Sequence, residues 1–263
     1  MKHTESSTGN IRSDDRKAMT LKPIHARKLA AIIDVKGRAL FSKNFIIMPV
    51  FSLGFTFLMK ILYERVSGGT ADMNAYALAL GILMNISMMG IYCTAASLAE
   101  EKEKNTLRTL MTSSVNGLEF FLGSLIPVVL MSTAVNVLCV FIVRLSMTPA
   151  QWGAYLAVTT AASVIAAVVG MILGIFAKNQ VTASTITTPA VLVFMMIPMF
   201  TGFSDTLHKI SMFFFTGIAF EAVANINSGL PAADIRGIAV LTAELLLSVI
   251  LFLILYRRNG FER

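Results

Sequence analysis

The sequence predicts an all-α polytopic membrane protein: six transmembrane helices, an N-terminal interfacial helix, and an outer re-entrant hairpin before the last span. Three observations predict it. The 263 residues are 56% hydrophobic and only 14% charged, with mean hydropathy +0.72, whereas soluble domains carry about 25% charged residues. The charges cluster, leaving apolar runs of the roughly 20 residues that a bilayer crossing requires. The basic residues are also lopsided. Threaded through six spans with the N-terminus inside, the chain puts 17 of its 22 Lys and Arg on the inner side and five on the outer, the bias that fixes orientation.

Residues 1–20 are polar and rich in Ser, Thr, Asp and Lys, which predicts a disordered tail. Residues 21–263 form a single transmembrane domain. Over 24–40, Leu29, Ile32, Ile33 and Leu40 recur at helical spacing among Arg27, Lys28, Lys36 and Arg38. That pattern fits a helix lying in the cytoplasmic interface with its cations snorkelling. Span 1 covers 44–62, with Pro49 near its start, where proline costs least. Span 2 covers 75–99, and span 3 covers 118–143 with Pro127 as an expected kink. Span 4 covers 154–177, and span 5 covers 181–203, interrupted by Pro189 and Pro198. Residues 204–235 hold an apolar stretch, 210–224, too short for a full crossing. A seventh crossing there would place Arg257 and Arg258 outside, so the segment reads as an outer hairpin. Span 6 covers 238–256.

Composition and motifs exclude several classes. Ten of the basic residues lie before Asn44 without aromatic interleaving, so the charge of +7 points to anionic lipid and topology rather than to nucleic acid. No secretory signal peptide is expected. Cys93 and Cys139 both lie in apolar runs and form no disulfide framework. The three histidines have no metal-ligand spacing, and no catalytic constellation stands out. A small multispan chain of this kind fits a bacterial cytoplasmic membrane, both termini cytoplasmic.

Several residues invite a role. After the nearly uncharged run 75–99 comes Glu100-Glu101-Lys102-Glu103-Lys104-Asn105-Thr106-Leu107. Dense charge there marks where the membrane ends, and the short amphipathic stretch that follows offers a docking surface to something soluble. Glu244 is an ionisable group inside span 6, and Asn85 and Asn136 are polar points inside spans 2 and 3. The first is a candidate for transport chemistry, the second pair for interhelical hydrogen bonds. Ala162, Ala166, Gly170 and Gly174 recur every four residues on one face of span 4. Such a stripe permits close helix packing, within the subunit or at a seam between subunits.

The residues Glu101-Lys102-Glu103, Thr106-Leu107, Leu110-Met111, Ser113, Val115, Glu119 and Gly123 resemble the signature of type-2 ABC transporter permeases, the transmembrane subunits of ABC exporters. The six-span layout, the preceding interfacial helix and the hairpin before span 6 resemble that family too. The resemblance implies a coupling helix over 100–117 seated in a groove of a separate ATPase subunit, carried here by Glu101, Lys102, Glu103, Thr106, Leu107, Leu110 and Met111. It also implies a second permease copy, in a homodimer or heterodimer. The chain has no Gly-x-x-x-x-Gly-Lys-Ser/Thr phosphate loop. It is therefore expected to be no enzyme and to bind no cofactor, with ATP and Mg on the partner subunit. The expected cargo is amphipathic or hydrophobic: a peptide, a drug or a lipid-like molecule. Two alternatives stand beside this: an ion- or proton-coupled carrier, and a membrane anchor that recruits an ATPase without transport.

Overall fold

The computed structural model of the protein describes residues 25–43, 45–68, 70–104 and 117–258. Every regular element among them is helical. In chain order they are α1 (Ala26–Leu40), α2 (Ile47–Ser67), α3 (Ala71–Asn85), a π-helical stretch (Ile86–Cys93), α4 (Thr94–Glu103), α5 (Gly117–Val143), α6 (Pro149–Phe176), α7 (Gln180–Met199), α8 (Asp205–Ser211), α9 (Phe215–Asn227) and α10 (Ile235–Arg258). The expected tail over 1–20 lies outside the described residues.

Among the described residues, six helices are long and apolar enough to cross a membrane: 47–66, 72–103, 118–143, 149–176, 180–199 and 235–256. The second runs unbroken through α3, the π stretch and α4, and it is the hub. Burial reaches 89% of its apolar window, against 17% for the first and last spans. A helix hydrophobic all round belongs in the middle of a bundle. The core divides lengthwise. One half gathers α3, the C-terminal half of α5, the N-terminal half of α6, and α9; the other gathers α4, the N-terminal half of α5, the C-terminal half of α6, and Leu40 of α1.

The span-4 stripe faces the hub. Ala162, Ala166, Gly170 and Gly174 are all buried. A Cβ on Gly170 would sit 2.5 Å from the Ile91 carbonyl oxygen and 2.6 Å from that of Gly90. A Cβ on Gly174 would sit 3.1 Å from Ala95 Cα, and one on Gly90 would meet the Ala166 methyl at 2.3 Å. The stripe therefore packs within the subunit, α6 pressed backbone to backbone against the π stretch and α4.

Several helix bounds depart from expectation. Pro189 does not interrupt span 5: α7 continues through it and carries Pro198 only in its last turn. Pro189 leaves the Thr185 carbonyl without its intrahelical donor, and the helix continues past it all the same. Pro127 lies inside α5, as expected for span 3. The hub helix runs on through Glu103, so Glu101, Lys102 and Glu103 end a spanning helix rather than begin a separate one. In the 204–235 segment, α8 and α9 meet at 110°. Their corner is tight, for a Cβ on Gly217 would lie 2.0 Å from the Ser211 carbonyl oxygen. The arm α9 is sunk among α3, α6, α7 and α10.

Substituting Gly170 by Ala is expected to force α6 off the hub and cost about 1–3 kcal/mol, the usual range for overpacking. Thermal unfolding in detergent measures this, and an unchanged midpoint would refute the inward-facing stripe.

Candidate functional site

The charged residues at the end of the hub helix are consecutive, and 3.6 residues per turn sends each toward a different neighbour. Glu101 meets α1, where its Oε1 pairs with the Lys36 ammonium. Lys36 is 6% exposed and also lies over the Phe120 ring of α5, 4.7 Å from its centroid. Burial pushes the Lys36 ammonium below the ordinary lysine range, and Glu101 beside it offsets part of that. The apolar pattern of α1 did not single out Lys36 from its other cations; only packing identifies it as the internal one.

Lys102 reaches the C-terminal end of α6. Its ammonium donates to the carbonyls of Gly174 at 2.9 Å, Ile175 at 2.6 Å and Ala177 at 3.1 Å. The last carbonyls of a helix have no intrahelical partners and form the negative end of its dipole. A lysine answers both needs. Glu103 turns to the following helix, accepting from the Gln180 backbone N–H at 3.3 Å, at the positive N-terminal end of α7. Asn179 caps the same end, accepting from the Thr182 N–H at 2.8 Å. Adjacent residues of opposite sign thus grip both sides of the α6–α7 turn.

Glu119, in the first turn of α5, adds a further tie. It is 1% exposed, accepts from the His25 backbone N–H at 2.8 Å, and lies 3.4 Å from His25 Nδ1. His25 is the residue before α1, so Glu119 engages the start of that helix. One turn on, a Cβ at Gly123 would meet Ile32 Cγ2 at 2.4 Å; the glycine lets α1 lie directly on α5. The ends of α4, α5, α6 and α7, with α1, thus converge at one end of the bundle around Glu101, Lys102 and Glu103. Thr106, Leu107, Leu110 and Met111 of the expected coupling helix lie outside the described residues.

A family model described as ABC-2 family transporter protein matches residues 68–255, most of the chain and five of its six spans. The chain belongs to the ABC-2 transporter family. No curated protein matches it closely. As an ABC-2 permease it is a multi-pass membrane subunit of an ABC transporter, a transport component rather than an enzyme. Its match begins after α1 and α2, so Lys36 belongs to the part of this permease that the family model does not cover.

Of the intramembrane candidates, Asn85 and Asn136 fall in one place and Glu244 in another. Asn85 sits where α3 gives way to the π stretch. Its Nδ2 donates to Asn136 Oδ1 at 2.8 Å and to the Ser132 carbonyl at 2.9 Å. Ser132 Oγ bonds Ser163 Oγ at 2.9 Å, and Tyr155 donates to the Asn136 carbonyl at 2.8 Å. All five residues are buried. This network joins spans 2, 3 and 4, and Ser132, Ser163 and Tyr155 carried no sequence signal because hydroxyls are common in apolar helices. Glu244 stands apart from it. Its carboxyl lies beside the Phe215 backbone N–H, at the start of α9, where Phe214 supplies no side-chain cap, and its Oε2 is buried without a hydrogen-bond partner among the described residues.

Replacing Lys36 by Ala strands Glu101 and is expected to cost about 3–5 kcal/mol, whereas Lys36→Met with Glu101→Met recovers most of that. Thermal midpoints of the single and double variants measure it, and a double variant no better than either single one refutes the pairing. At the other site, Glu244→Ala is expected to loosen α9 by about 1 kcal/mol while Glu244→Gln, still an acceptor, does not. Hydrogen exchange at 215–220 distinguishes the two; equal protection in both variants would mean that Glu244 caps nothing.

Proposed function

We propose that this permease is the membrane half of an ATP-driven exporter in a bacterial cytoplasmic membrane, working as a dimer with separate ATPase subunits that carry ATP and Mg. In this reading both termini are cytoplasmic, α1 lies in the inner interface and the α8–α9 hairpin is re-entrant on the outer side. The segment after Glu103, with Leu107, Leu110 and Met111 as apolar anchors and Thr106 beside them, is the coupling helix that seats in the ATPase. The cargo is amphipathic or hydrophobic.

The observation that carries the reading is the three-way tie made by Glu101, Lys102 and Glu103. A docking segment transmits motion only if its root is bound to the elements that must move. Here the root is bound to α1, to the end of span 4 and to the start of span 5. An ATPase that binds the segment differently in its two nucleotide states would bias these helices between two arrangements. A carrier mechanism finds less support. The intramembrane carboxyl of Glu244 lies against the start of α9, apart from the polar network, and Asn85 and Asn136 are engaged with each other.

The test uses anchors rather than the clamp, since reversing Glu101 would break a buried pair and confuse folding with docking. The double variant Leu107→Asp/Met111→Asp is expected to weaken co-purification with its ABC ATPase subunit by at least about 30-fold, as loss of interface anchors does. Its thermal midpoint should match wild type. ATP-dependent uptake of cargo into inside-out vesicles reads the export direction. A wild-type permease that binds no ATPase, or a variant that binds it unimpaired, would overturn the proposal.

A further inference from the structure

A groove of about 530 Å³ opens between α1, α2 and α5, lined by apolar residues throughout, among them Ile33, Gly37 and Phe41 of α1, Val50 of α2, and Leu130 and Leu138 of α5. It is open on the side where spans 1 and 3 present their outer faces, for Val50 is 60% and Leu130 63% exposed. Gly37 is the unexplained member. Glycine inside a helix is destabilising relative to alanine, and it is usually excused by a close approach or a special backbone angle. Neither applies: a Cβ at Gly37 would meet no atom within 4 Å, and its backbone is ordinary helix. What the missing side chain leaves is room in the groove.

Cationic residues adjoin the groove in sequence. Arg38 follows Gly37, and Lys43 lies between the lining residues Phe41 and Ile46; the side chain of Arg38 is 80% exposed and ion-paired 3.0 Å from Asp34, and Lys43 is exposed. Between His25 and Lys43 the described chain holds five Lys and Arg against one acid. A second copy of the chain across this groove would bring like cationic helices together, since a two-fold contact sets the same patch against itself. An anionic lipid has both required parts, a hydrocarbon chain for the groove and a phosphate for the rim.

We propose that this groove seats an acyl chain of one anionic phospholipid, with its headgroup phosphate at Arg38 and Lys43. Because α1 also carries Lys36 to Glu101, the lipid would brace the helix that holds the root of the docking segment. Binding itself stands independently of the exporter reading, since it needs neither ATPase nor cargo.

The test is native mass spectrometry of the full chain released from detergent, titrated with phosphatidylglycerol or phosphatidylcholine. Wild type is expected to retain one phosphatidylglycerol per chain, and phosphatidylcholine more weakly. Gly37→Trp and Ala134→Trp fill the groove from α1 and from α5, and each should lower retention at least about tenfold, as displacing a few methylenes would. Gly54→Trp, at an exposed α2 position with no atom near its Cβ, should retain lipid as wild type does. Lys43→Glu should erase the preference for phosphatidylglycerol. Folded groove variants that bind like wild type would overturn the proposal, as would equal retention of the two lipids by wild type, a comparison that needs no variant. Loss of dimer mass in Gly37→Trp without loss of lipid would assign the groove to a second copy instead.

Discussion

The arrangement depends on charge being placed against helix ends. At the foot of the bundle, several helices expose unpaired carbonyls or N–H groups close together, and water would otherwise have to reach them at the edge of the membrane. Lys102 answers the negative end of α6, Glu103 the positive end of α7, and Glu119 the start of α1. Each sign matches the dipole that it meets. Glu101 and Lys36 form the buried pair at the centre, and a buried pair is worth keeping only when both partners are present. The same few side chains therefore cap, neutralise and position.

Above this clamp the bundle is held by proximity. The small residues of α6 bring two backbones together along the π stretch and α4, where lipid offers no hydrophobic drive and contact must come from packing. π-helical turns inside longer helices are uncommon. This one spans the segment that α6 presses against, directly beyond Asn85, whose network joins three spans. The polar network sets the register of the hub against its neighbours, and the stripe sets their distance.

Clamp and network share one continuous helix and the stripe of α6 packs against it, so Asn85 and Glu103 are joined without an intervening loop. At the other end a carboxyl of span 6 lies at the start of α9, and α9 is buried in the bundle.

Composition and run length determined the all-α class and the six spans. These are one-dimensional properties, because a bilayer selects on length and hydropathy before any tertiary contact forms. The motif around Glu101, Lys102 and Glu103 was likewise legible, together with the family that it marks. Which way each of the three points was not. Nothing in the sequence separates Lys36 from Arg27 or Arg38, or says that Lys102 caps span 4, because helix ends distant in sequence meet only after the bundle has packed. The stripe on span 4 showed that something comes close, but its partner required Gly90 and Ala95 to be placed opposite. Proline misled in span 5, where the helix continues through Pro189 despite the hydrogen bond it removes. Glu244 read as a stray intramembrane charge until α9 was folded against it. Sequence sets what each helix can tolerate, and tertiary structure decides which unsatisfied group each side chain serves.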